Sequence, residues 1–112
     1  MSEYKMIVLD LDGTLTNRNK EITPKTKETL MRAQEQGKIV VLASGRPTYG
    51  VMPLAEELHL EDYGGYILSF NGGIIMNCKT KEVVFSRQIP AESNGKIIDL
   101  AQEHNVSILT YE

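Results

Sequence analysis

Short apolar runs alternate with amphipathic helical stretches, and each run closes on a cluster of polar and glycine residues; no other feature restricts the fold as strongly. The first run, Met6-Ile7-Val8-Leu9, is apolar throughout and ends at Asp10, which suits a strand buried on both faces of a parallel sheet. Thr23-Pro24 then supplies an N-cap and a proline at the first helical position, and Gly37 stands where a left-handed C-terminal cap belongs. A helix is therefore predicted from Pro24 to about Gln36, with Thr26, Leu30 and Ala33 on its packed face and Lys27, Arg32 and Glu35 in water. The second run, Ile39-Val40-Val41-Leu42-Ala43, is β-branched and breaks into Ser44-Gly45-Arg46-Pro47, after which a helix is predicted through Leu54, Leu58 and Leu60. Strand, helix, strand, helix implies parallel strands joined by crossovers.

Tyr66-Ile67-Leu68-Ser69-Phe70 reads as a third strand, closed by the turn Asn71-Gly72-Gly73, and there the rhythm changes. Ile74 to Met76 and Val83 to Gln88 flank a polar stretch and predict an antiparallel hairpin. A helix from about Ala91 to His104 and a strand from Val106 to Tyr111 are expected next. The fold class is α/β: a doubly wound, Rossmann-like parallel sheet over residues 1–73, then the opening of a second unit over residues 74–112.

Charge and cysteine content narrow the function. A chain of 112 residues has room for one buried core, and its net charge of -3 with no local run of Lys or Arg gives no field to collect nucleic acid or anionic lipid. Neither nucleic acid nor membrane is an expected partner. The single cysteine, Cys78, cannot form an internal disulfide and reads as a loop residue, which fits a reducing, cytoplasmic setting. Met6 to Leu9 is far too short for a signal-peptide core or a membrane span.

In parallel sheets the ligand site lies beyond the carboxyl ends of the strands. Here those ends read Asp10-Leu11-Asp12-Gly13-Thr14, Ser44-Gly45-Arg46 and Asn71-Gly72-Gly73. Two carboxylates two residues apart can face one crevice, where a cation relieves their repulsion, and Mg²⁺ is the cation that prefers oxygen ligands and substrate phosphate. Asp10 could then attack phosphorus, dividing hydrolysis into transfer to its carboxylate and attack of water on the aspartyl phosphate. Asp12 suits the proton work: it would protonate the leaving oxygen, then deprotonate water. Gly13 allows a sharp turn, and Ser44 with the N–H of Gly45 could hold phosphoryl oxygens.

Asp10-Leu11-Asp12-Gly13-Thr14 after an apolar strand resembles the first motif of the haloacid dehalogenase-like superfamily, and Ser44 resembles its second. Ser44-Gly45-Arg46-Pro47 and Asn71-Gly72-Gly73 are similar to the pattern of its Cof-type sugar phosphatases. The resemblance implies that Asp10 is nucleophile and Mg²⁺ ligand, and that Asp12 is acid/base with its backbone carbonyl on the metal. It also implies that Ser44 and Gly45 bind phosphate, and that Arg46 and the Asn71-Gly72 turn help place the phosphate or the leaving group. The substrate implied is a small phosphorylated metabolite such as a sugar phosphate, and an α/β cap is expected to start after the third strand. That family further uses a later lysine and a later acidic motif, neither of which can be placed in these 112 residues, so the isolated chain is expected to be incomplete and inactive. Two alternatives stay open: a non-catalytic binding or assembly module, and a receiver-like phospho-acceptor domain, although the latter needs its acceptor Asp after the third strand, where this chain has Phe70-Asn71.

Overall fold

A computed structural model describes residues 4–110. Its strands are β1 (Met6–Asp10), β2 (Ile39–Ala43), β3 (Tyr66–Ser69), β4 (Ile74–Asn77) and β5 (Val83–Ser86), and its helices α1 (Pro24–Glu35), α2 (Thr48–Glu57), α3 (Leu60–Tyr63) and α4 (Asn94–Glu103). Among the described residues the strands form one sheet in the order β1-β2-β3-β4-β5, the first three parallel and the last two antiparallel. This is an α/β, Rossmann-like mixed sheet with flanking helices.

Both crossovers step the same way across the sheet, and right-handed connections then put their helices on one face. Leu30 of α1, Val51 and Ala55 of α2, and Leu58 and Leu60 pack there against Val40, Leu42, Ile67 and Met76 of the sheet. Leu11, Leu15 and Ile22 of the first loop complete this core. The opposite face of β1 is open, with Met6 50% and Val8 57% exposed. The expectation that β1 is covered on both faces is therefore corrected for the described residues: Ile7 and Leu9 face the core, whereas Met6 and Val8 face solvent.

Helix α1 begins as its sequence requires. Thr23 Oγ1 accepts from the N–H of Thr26, Pro24 occupies the first turn, and Gly37 takes the left-handed conformation with φ +87°. Its packed face differs at two positions: Gln34 is buried, with its Nε2 donating to the carbonyl of Leu58 at 2.8 Å, and Lys27, expected in water, is half-buried. The helix expected through Leu60 is split. His59 has φ +57°, and this left-handed step between α2 and α3 lets Leu58 and Leu60, both fully buried, enter the core on either side of it.

The hairpin does not stand apart from the parallel strands. β4 runs back along β3 in the register Ser69↔Ile74 to Tyr66↔Asn77, so the sheet continues unbroken past residue 73. Cys78, read as a loop residue, lies in the turn after β4 but is buried, 1% exposed, with its N–H donating to the carbonyl of Gly65. Beyond the hairpin, α4 begins at Asn94 after a 3-10 turn over Ala91–Ser93, three residues later than expected. The strand expected from Val106 to Tyr111 is absent over residues 106–110, and Tyr111 lies outside the described residues. An extended segment becomes a strand only by pairing its N–H and C=O groups, and none of the described strands pairs with these residues.

Candidate active site

The register of the parallel strands sets their ends level. Asp10 pairs across with Ala43, and Ala43 with Leu68, so the chain leaves all three strands at one rim. A cavity of about 250 Å³ opens there, lined by Asp10, Ala43, Ser44, Gly45, Leu68, Asn71 and Gly72. Of the seven residues singled out in the sequence, five share this cavity: Asp10, Ser44, Gly45, Asn71 and Gly72.

After β1 the chain closes a tight turn, with the N–H of Thr14 donating to the carbonyl of Leu11 and that of Leu15 to the carbonyl of Asp10. Leu11 is fully buried between Asp10 and Asp12, which leaves both aspartates on the solvent side. Asp12 is not among the residues that line that cavity, however. Asp12 lines a neighbouring depression with Gly13, Thr16, Asn17, Arg18 and Lys20, and its Oδ1 accepts from Arg46 Nη2 at 2.6 Å. The guanidinium supplies the positive charge that a carboxylate beside another carboxylate needs.

The loops after β2 and β3 are tied to each other. Asn71 donates its N–H to the carbonyl of Ser44 at 3.0 Å, and Phe70 donates its N–H to the carbonyl of Arg46 at 2.9 Å. Ser44 Oγ accepts from the N–H of Arg46 at 3.0 Å. Phe70, Asn71 and Gly72 all have positive φ, at 51°, 56° and 90°. A left-handed phenylalanine is unfavourable by itself, and the hydrogen bond to the Arg46 carbonyl is one of the contacts that hold it. This bend turns the Asn71 side chain toward Gly45, where the absence of a Cβ leaves room for the amide.

Four contributors had no clear sequence signal. Ala43 and Leu68 form part of the cavity wall, and only the strand register reveals them. The carbonyl of Gly50 accepts from Arg46 Nη1 at 3.2 Å, a contact that the i, i+4 spacing into α2 would have allowed one to suspect. The fully buried Ser69 hydroxyl is hydrogen-bonded to that of Thr48 at 2.6 Å and pins the start of α2 to the end of β3. Chemically, the rim presents a solvent-facing carboxylate opposite a hydroxyl, an amide and two glycine turns. Among the described residues no three His, Cys, Asp or Glu side chains converge as a metal cage, so any cation here would rest on few protein donors and on water.

Residues 7–112 match the family model of the haloacid dehalogenase-like hydrolases. A Bacillus subtilis protein provisionally named a phosphatase, YxeH, is 36% identical over 89% of this chain, which spans 37% of that protein. The 5-amino-6-(5-phospho-D-ribitylamino)uracil phosphatase YwtE, also from Bacillus subtilis, is 34% identical over 84% of the chain and 30% of its own length. Among solved structures, a haloacid dehalogenase-like hydrolase from Bacteroides thetaiotaomicron superposes with a TM-score of 0.87 at 54% identity, over 97% of this chain and 41% of that one. The chain thus spans well under half the length of each of these relatives.

Proposed function

Because this chain belongs to the haloacid dehalogenase-like hydrolases, we propose that it carries one wall of the active site of a magnesium-dependent phosphatase whose nucleophile is Asp10. The observation that carries this reading is the level register Asp10↔Ala43↔Leu68, which brings Asp10, Ser44 and Asn71 to one cavity. In the first half-reaction a carboxylate oxygen of Asp10 bonds to phosphorus, the ester P–O bond breaks, and the leaving oxygen takes a proton from Asp12. In the second, water bonds to phosphorus, the bond from Asp10 breaks, and the proton of the water goes to Asp12. Ser44 Oγ, the N–H of Gly45 and the Asn71-Gly72 turn would donate hydrogen bonds to the phosphoryl oxygens.

The donor set fits magnesium: the Asp10 carboxylate and the Asp12 backbone carbonyl are hard oxygens, and the Asp10 side of the rim is exposed enough for water to complete the coordination. When bound, the cation would offset the charge on the phosphoryl oxygens and let an anionic carboxylate approach an anionic ester.

The substrate class proposed is a small phosphorylated metabolite, sugar phosphates included. Its support is the likeness to YwtE, whose name specifies a phosphoribityl compound, together with the open cavity of about 250 Å³ at the rim. Residues 1–73 would belong to the catalytic core, and residues 74–112 would lead into a cap that shapes the leaving-group pocket. None of the described helices is long and apolar enough to cross a membrane, and a cytoplasmic setting goes with the single, buried cysteine.

Fluoroberyllate, which mimics an aspartyl phosphate, tests the reading in the intact protein. Binding that requires magnesium and disappears in Asp10→Asn is expected. Binding indifferent to both would support a non-catalytic module instead.

A further inference from the structure

Arg46 follows Ser44 and Gly45 at the rim, yet it is not among the residues that line the cavity shared by Asp10, Ser44 and Asn71. Its side chain is committed elsewhere, with Nη2 donating to Asp12 Oδ1 at 2.6 Å and Nη1 to the Gly50 carbonyl at 3.2 Å. Its backbone is fixed at both polar groups, the N–H by Ser44 Oγ and the carbonyl by the N–H of Phe70. Gly50 makes the arm possible, since a Cβ there would lie 3.3 Å from Arg46 Cβ and 3.5 Å from Cδ. The Arg46 side chain is 28% exposed and that of Asp12 is 56% exposed, so the arginine is the better-fixed partner.

We propose that Arg46 is a positioning residue that acts through Asp12 and is not a ligand of the phosphoryl group; this rests on the reading of Asp12 as proton carrier. By binding Oδ1, the guanidinium fixes the plane of the carboxyl group and leaves Oδ2 as the oxygen that exchanges the proton. In the first half-reaction that proton passes from Oδ2 to the ester oxygen as the P–O bond breaks and its electron pair moves to that oxygen. In the second, the proton of the attacking water returns to Oδ2. A side chain that swings freely would have to be oriented within each cycle, and the arm through Gly50 removes that requirement.

The consequence depends on the leaving group. An alkoxide needs its proton as the bond breaks, whereas p-nitrophenolate departs without one, so loss of Arg46 must affect the two unequally. The test measures kcat/KM of the intact protein, with magnesium, for an alkyl phosphate and for p-nitrophenyl phosphate, and the calorimetric affinity for inorganic phosphate. For Arg46→Ala, the alkyl ester is expected to lose roughly 100-fold and p-nitrophenyl phosphate under about threefold, the order of one general acid's contribution, with phosphate affinity unchanged. Arg46→Lys should recover part of the alkyl-ester loss. If Arg46→Ala fails to fold by circular dichroism, Gly50→Ala, which shifts the arginine stem, should show the same inequality at smaller size. Equal losses for both esters with a matching loss of phosphate affinity would overturn the proposal while leaving Asp10 as nucleophile. Wild-type hydrolysis that persists in Asp10→Asn would overturn the functional reading, and this proposal with it.

Discussion

A methyl group placed on Gly45 would lie 3.1 Å from Oδ1 of Asn71, a tight approach for a Cβ. The strand-end loops thus meet at their smallest residue, and the Asn71 amide rests where any side chain at position 45 would stand. Gly45→Ala is therefore expected to displace the amide while leaving the core intact. In the intact protein, calorimetric titration with inorganic phosphate should show affinity weakened by about tenfold, the equivalent of one hydrogen bond, with the urea midpoint nearly unchanged.

Asn71 contributes a conformation as well as an amide, and two substitutions separate them. Asn71→Gly accepts the φ of 56° without strain and removes only the amide, so stability should hold while phosphate affinity falls. Asn71→Ala loses the amide and must also be held left-handed, which costs about 1 kcal/mol more. Urea unfolding of the two variants should rank them in that order, with similar phosphate affinities.

Gly65 is a packing glycine away from the site. An added Cβ would lie 2.5 Å from the Val40 carbonyl oxygen and 3.1 Å from Leu60 Cδ2, so β2 or α3 would have to move. Gly65→Ala is expected to destabilise by roughly 1–3 kcal/mol, the usual cost of overpacking, read as a lower urea midpoint at an unchanged slope.

Burial pushes the Cys78 thiol up from 9.0 to about 11, an effect lessened by the positive charge of Lys81 and increased by Glu61. The unfolded chain releases this proton first as pH rises, so the contribution to stability is fully present below pH 9 and is lost between about pH 9 and 11. Urea midpoints across that range should fall more steeply for wild type than for Cys78→Ala. At pH 8 iodoacetamide should label the folded protein far more slowly than the urea-unfolded chain.

The parallel strands and α1 were legible in the sequence for a physical reason: a short apolar run stopped by acidic or glycine residues, and a Thr-Pro start with a Gly stop, are local signals with local causes. The break at His59 was not, because a left-handed residue other than glycine is set by the packing of Leu58 and Leu60 and not by its own preference. Periodicity identified the hairpin but not its partner, and so the antiparallel pairing of β4 with β3 stayed hidden. The rim followed from the rule that loops after parallel strands converge, which brought Asp10, Ser44, Gly45, Asn71 and Gly72 to one cavity. The ion pair of Asp12 with Arg46 was out of reach, because it joins residues 34 apart in the sequence and no local spacing encodes it.

If Asp10 is the nucleophile, turnover forms a covalent bond between phosphorus and its carboxylate. The intact protein, turning over a phosphate ester with magnesium and quenched in acid, should yield a peptide spanning Met6 to Leu15 that carries one phosphoryl group on Asp10, labile to hydroxylamine and absent in Asp10→Asn. Phosphoryl transfer to any other residue, or undiminished hydrolysis by Asp10→Asn with no phosphorylated peptide, would contradict the account.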